Sequence, residues 1–131
     1  MRLVLANGVF DLLHPGHVRH LEEAAQQGDY LVVSVTIDEM VKKGRGRPIQ
    51  TLEERMEMLR ALRCVNSVAP CGSSLLALLQ WCPAVFVKGH DRNGKLQPAE
   101  EKFCKDHGIE IFHTKPSKLS TTKLIERIKC A

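Results

Sequence analysis

Two histidines three residues apart flank a Pro-Gly pair in the run His14-Pro15-Gly16-His17. The run lies where a short apolar segment gives way to a helical pattern, so it reads as the turn into a helix beginning near Gly16. A helix N-terminus presents unpaired backbone N–H groups and the positive end of the dipole, and both attract phosphate. Two imidazoles at this spacing face one small volume. Each can donate a ring N–H to phosphate oxygens whose charge grows as a phosphoanhydride breaks. Gly16 leaves the backbone open to close approach. Two solvated turn histidines would give the same pattern, and a zinc site would need a third ligand that the nearby sequence does not supply.

Four further groups carry chemistry. Ser120-Thr121-Thr122 opens the last helical pattern. One hydroxyl serves as an N-cap, but three in succession, with Lys115 and Lys118 upstream and Leu119 in the same run, suit phosphate at a second helix N-terminus. Lys42, Lys43, Arg45 and Arg47 put four cations into six residues, spaced by Gly44 and Gly46. Such a run is either a solvated face or a lid able to close over a triphosphate. Lys88-Gly89-His90-Asp91 ends an apolar segment with a cation at a ligand edge, although a strand end also carries charge for solubility. Arg55 and Arg63 lie eight residues apart on one predicted helix, where their stems can also cover a sheet edge. Asp11 can cap its own turn, and Asn7 ends a strand with no catalytic part.

The elements that must position these residues alternate in type. Segments 2–7, 30–36, 65–69, 84–88 and 109–113 are short and rich in branched apolar residues, and read as strands. Residues 16–27, 52–62, 73–81, 98–107 and 120–129 show helical spacing, with Thr51 and Ser120 at N-cap positions and Gly28 and Gly108 at C-terminal ones. Alternation of this kind implies an α/β fold: a Rossmann-like, doubly wound, five-stranded parallel sheet in one domain over residues 1–131. In such sheets the ligand site lies beyond the C-terminal strand ends. Every polar run named above except the Arg55–Arg63 helix follows a strand.

Composition narrows the partners. A net charge of +4 is mild, and one Trp, one Tyr and four Phe are too few for a row of base-stacking platforms, so a nucleic-acid partner is not expected. Five scattered cysteines without a Cys-x-x-Cys pair suggest neither a disulfide framework nor zinc, and fit a reducing cytoplasm. No apolar stretch approaches the length of a membrane span and no cleavable signal is evident, so no membrane partner is expected.

Residues Gly8–His17, followed by a helix and Gly28-Asp29, closely resemble the signature of the cytidylyltransferase-like nucleotidyltransferases, and Ser120-Thr121-Thr122 resembles that family's second signature. The two bracket nearly the whole chain. The resemblance is nearest to glycerol-3-phosphate cytidylyltransferases and to the nucleotidyltransferase domain of ADP-heptose synthases. It implies in-line attack by an acceptor phosphate on the α-phosphorus of a nucleoside triphosphate, with pyrophosphate leaving. It assigns catalytic parts to His14, His17 and Lys43, with Lys42 and Arg45 as other bearers of the loop lysine's role. It places Val9, Phe10, Asp11, Gly16, Lys88, Asp91, Lys115, Leu119, Ser120, Thr121 and Thr122 around the nucleotide. Lys42, Arg55 and Arg63 fall to the acceptor, Arg63 alternatively to a subunit contact. Magnesium is expected to arrive with the triphosphate, with no metal held by protein ligands alone, and a homodimer is expected.

The two closest kinds differ in base and acceptor. The Asp11–His14 run and its spacing to Glu53-Glu54-Arg55 favour CTP and a polyol phosphate such as glycerol 3-phosphate. Val87-Lys88-Gly89, and Lys115–Lys118 in place of an Arg-Thr-Glu-Gly segment, favour ATP and a sugar 1-phosphate. The longer N-terminal match tips the expectation to CTP.

Overall fold

The structure, a computed structural model, describes residues 1–89, 96–115 and 120–130. Five parallel strands, β1 (Leu3–Gly8), β2 (Tyr30–Thr36), β3 (Ser67–Cys71), β4 (Val85–Lys88) and β5 (Glu110–His113), form one sheet in the order β3-β2-β1-β4-β5. Helices α1 (Pro15–Ala25), α2 (Leu52–Arg60), α3 (Ser74–Trp81), α4 (Pro98–Asp106) and α5 (Thr121–Cys130) alternate with them, and a 3-10 turn covers Asp38–Met40. This is the doubly wound architecture expected from the alternation.

The chain moves outward from β1 through β2 to β3, then crosses back to β4 and β5. Right-handed crossovers therefore put α1 and α2 on one face and α3 and α4 on the other. Side-chain alternation along the buried strands feeds two cores. Val4, Ala6, Val33, Val85 and Val87 pack with Leu21, Ala24, Met56 and Leu59. Leu5, Val32 and Phe86 pack with Ala77, Leu78 and Cys104 on the opposite side. The order reverses between β1 and β4, which pair directly through Val4–Val85 and Ala6–Val87. The loops leaving these two strands diverge, and the crevice between them lies at the C-terminal edge.

Two local departures from the sequence pattern have clear causes. The third strand begins at Ser67, not Val65, because Asn66 is held sideways. Its N–H donates to Leu31 O at 3.0 Å and its side chain accepts from Leu31 N at 2.8 Å. The strand then runs on through Pro70, which is tolerated because β3 is an edge. Gly108 does take the left-handed conformation (φ 64°) of a helix terminus, but Gly28 serves packing. A Cβ there would sit 2.4 Å from the carbonyl oxygen of Arg2, so only glycine lets the chain pass the start of β1.

Candidate active site

Helix α1 starts on a capping box built from two imidazoles. His14 is the N-cap, and its Nδ1 accepts from Gly16 N at 3.0 Å, while His17 Nδ1 accepts from His14 N at 3.3 Å. The N–H groups of His17 and Val18 both bond His14 O, at 2.9 and 3.2 Å. Pro15 has no N–H. The donors of the first turn are thus engaged within the helix end and not unpaired as the sequence pattern suggests, while Gly16 itself still lines the cavity described below. What the helix end offers instead is its dipole and two rings.

Those rings stack with centroids 3.9 Å apart, and Phe10 meets His17 edge-on at 5.6 Å. Because each Nδ1 accepts a backbone hydrogen, a neutral ring must carry its proton on Nε2. Both rings favour the neutral form. Burial lowers the His14 pKa, and burial together with the charges of His14, His20 and Lys43 pushes His17 down to about 3 against a weaker opposing pull from Asp11. The pair is therefore two fixed N–H donors, neutral at pH 7, aimed by the backbone they cap.

This has a consequence for stability. A histidine held neutral in the native state binds no proton there, whereas the unfolded chain protonates near 6.5. The contribution of His17 is complete above that pH and declines as the pH falls from 6.5 toward 3. Urea midpoints of the wild type should therefore drop more steeply between pH 6.5 and 4 than those of His17→Asn. Parallel slopes would contradict the assignment.

The loop between β1 and α1 is strained and clamped. Phe10 and Leu12 both sit at positive φ, 54° and 50°, a region costly for bulky side chains. Asp11, between them and 2% exposed, accepts from Ile49 N at 2.8 Å and Gln50 N at 3.0 Å and pairs with Arg47 at 3.1 Å. Burial alone would raise the Asp11 carboxyl, but those two N–H groups and the guanidinium outweigh it and hold its pKa below the usual value. Leu12 N in turn donates to the Gln50 side-chain oxygen at 2.9 Å. Arg55, fully buried, donates to Val9 O and Thr36 O at 2.8 Å each and pairs with Asp38 at 2.6 Å.

The loop and the histidines form one wall of a cavity of about 400 Å³, a size suited to a small-molecule ligand. Thr114, Lys115, Ser120, Thr121 and Thr122 line it as well, together with Gly89 and Lys43. Thr121 Oγ1 donates to Asp11 O at 2.6 Å, and Ser120 Oγ caps α5 through Lys123 N at 3.1 Å. The structure thus brings together His14, His17, Val9, Phe10, Asp11, Gly16, Lys43, Lys115, Ser120, Thr121 and Thr122.

Other expected residues stand elsewhere. Arg55 has no exposed surface and its donors are taken by the protein, which corrects its acceptor-facing role: it holds the loop. Arg63 lies beyond the end of α2, in the turn leading to the N-terminal edge of β3, opposite the cavity. Lys88 shares the Phe86 face of β4, with its Nζ 5.4 Å from that ring and 4.0 Å from Glu100, and does not line the cavity. Lys42 and Arg45 are exposed and outside the lining. Asp91 and Leu119 lie outside the described residues. Among the described residues no three His, Cys, Asp or Glu side chains group as metal ligands.

Asn7, Gly8, His20, Gly89 and Thr114 also line the cavity. His20 had a visible signal, since it continues the spacing of His14 and His17 along one helix face. Asn7, given no catalytic part, accepts from the Cys71 thiol at 3.1 Å across the sheet.

Residues 5–127 match the family model described as cytidylyltransferase-like. The chain belongs to that family. As a cytidylyltransferase-like protein it is a nucleotidyltransferase. It is 53% identical to the bifunctional protein HldE of Hydrogenovibrio crunogenus and 41% identical to that of Alcanivorax borkumensis, each over 98% of this chain and 28% of the relative. The chain therefore spans just over a quarter of the length of these curated relatives. A solved lipopolysaccharide core biosynthesis protein from Thermoplasma volcanium superposes with a TM-score of 0.73 at 31% identity, covering 92% of this chain and 99% of the other. Among the described residues no helix is long and apolar enough to cross a membrane.

Proposed function

We propose that this cytidylyltransferase-like chain transfers AMP from ATP to a sugar 1-phosphate and releases pyrophosphate. The observation that carries the transfer chemistry is the stacked His14–His17 pair, whose Nδ1 atoms are occupied by the backbone and whose Nε2–H donors are left for ligand. ATP is favoured over the CTP of the sequence-based expectation by the relatives at 53% and 41% identity. Their HldE name belongs to the ADP-heptose synthase kind that the Val87-Lys88-Gly89 run already resembled.

In this reading an oxygen of the acceptor phosphate forms the new bond to the α-phosphorus, and the bond from that phosphorus to the α,β-bridging oxygen breaks. A phosphate monoester is already a nucleophile, so no general base is required. The protein aligns the partners and stabilises charge. His14 and His17 donate to the α-phosphate and bridging oxygens, Lys43 neutralises the α-phosphate from the loop, and Lys115, Ser120, Thr121 and Thr122 hold the leaving pyrophosphate. The magnesium that accompanies a triphosphate supplies charge neutralisation to its phosphate oxygens.

A second reading, CMP transfer from CTP to a polyol phosphate, draws on the Asp11–His14 run. Pyrophosphate release measured with four nucleoside triphosphates against sugar 1-phosphates and glycerol 3-phosphate separates the two. Base edges mismatched to their site leave buried groups unpaired at about 1–3 kcal/mol each, so ATP should lead by roughly tenfold or more. A lead for CTP with glycerol 3-phosphate would overturn the proposal.

The loop supplies a further prediction. Lys43 reaches the cavity and Lys42 does not, so Lys43→Ala should lower kcat/KM by more than about tenfold, the equivalent of about 1.4 kcal/mol. Lys42→Ala should change it less than about twofold. Equal effects would return the run to a solvated face or make it a diffuse electrostatic patch.

A further inference from the structure

We propose that His20 is a positioning residue of this nucleotidyl-transfer site, fixing Thr114 and Lys115, just after β5, against α1. Its ring lines the cavity, and its Nδ1 lies 2.6 Å from the hydroxyl of Thr114, which is 3% exposed. One turn along the same helix, the Glu23 carboxylate accepts from Lys115 N at 3.1 Å. Two α1 side chains thus grip two consecutive residues just after β5, while Thr114 N donates to Lys88 O at 3.1 Å and ties the same point to β4.

Thr121, at the start of α5, is tied separately, its Oγ1 donating to Asp11 O in the loop that leads into α1. His20 and Glu23 therefore tie Thr114 and Lys115 to the helix that begins with His14 and His17. The separation between the imidazole donors and Lys115, which holds the pyrophosphate in this reading, is thereby set from α1. This matters because donors act on a transition state only when held in place before the reaction. A displacement at Thr114 would pass to the adjacent Lys115, which holds the leaving pyrophosphate in this reading, and not to the acceptor.

The inference rests on the transfer reading of the cavity, and the test separates the two. Kinetics with ATP and with the acceptor that the panel above selects are compared for His20→Ala, His20→Gln, His20→Asn, Thr114→Val and Thr114→Ser. Asn places an amide atom where Nδ1 stands, whereas Gln reaches further out. His20→Ala, His20→Gln and Thr114→Val should each lower kcat about five- to tenfold, the scale of one lost hydrogen bond, with the acceptor KM unchanged. His20→Asn and Thr114→Ser should restore most of the rate. The His20→Ala/Thr114→Val double variant should lose no more than either single variant, since both remove one contact. If His20→Ala fails to fold, the Thr114 pair tests the same bond.

Unchanged kcat in folded variants, or additive losses in the double variant, would overturn the positioning role while the wild type's own turnover left the transfer reading intact. Absence of pyrophosphate release by the wild type with every triphosphate would remove both.

Discussion

His17→Ala is expected to lower kcat roughly 10²–10³-fold, the usual consequence of removing one preorganised donor to developing charge. The ring's Nδ1 is committed to His14 N and its proton therefore sits on Nε2. Its charge state is neutral, so what is lost is a hydrogen-bond donor and not a cation. Alanine also removes half of the capping box, at about 1 kcal/mol of helix stability. His17→Asn separates the two effects. Its amide oxygen can still accept from His14 N, but nothing replaces Nε2–H. Urea unfolding should place His17→Asn close to the wild type in stability while its kcat falls as far as that of the alanine variant. A folded His17→Asn enzyme with near-normal turnover would remove His17 from the chemistry.

The second large effect is expected at Arg55, a residue without exposed surface. Its guanidinium serves Val9 O, Thr36 O, Gln50 O and the Asp38 carboxylate at once. Arg55→Ala would strand buried carbonyl oxygens and free a loop that holds Phe10 and Leu12 at positive φ. A loss of about 2–4 kcal/mol is expected, chiefly from carbonyl oxygens left without a donor at about 1–3 kcal/mol each, because Asp38 is itself exposed and can be hydrated. Arg55→Lys should also fail to restore the wild type, because a single ammonium cannot span acceptors arranged for a planar fork. Chemical denaturation measures both. A change under about 1 kcal/mol for Arg55→Ala would show that the loop is held by Asp11 alone.

The contrast between these two residues marks what could be read from the chain. Strands and helices follow from local periodicity, and the doubly wound sheet from their alternation, because buried parallel strands and covering helices leave strong short-range patterns. The histidine pair was equally legible as a helix start, because the backbone partners of both Nδ1 atoms lie within three residues. Arg55 was not. Its charge suggested a substrate, yet its partners lie up to 46 residues away, at Val9, and no local pattern announces a guanidinium turned into the protein. Asp11 is similar, with acceptors filled from Ile49 and Gln50.

Lys88 shows a finer limit. Its place at the end of β4 was right, but period-two alternation sends it to the Phe86 face, away from the cavity. Strand parity was available in the sequence. Which parity faced the ligand depended on the side of the sheet that α1 covers, a property of the whole topology.

Nucleotidyl transfer itself is tested most directly by following the label from ATP carrying radioactive phosphorus at either the α or the γ position, in magnesium, with the sugar 1-phosphate that supports pyrophosphate release. The expected result is that α-label appears in the acceptor product and γ-label appears only in pyrophosphate, in equal amounts. Label from the γ position in the acceptor, or α-label recovered only as free AMP, would contradict attack by the acceptor phosphate on the α-phosphorus.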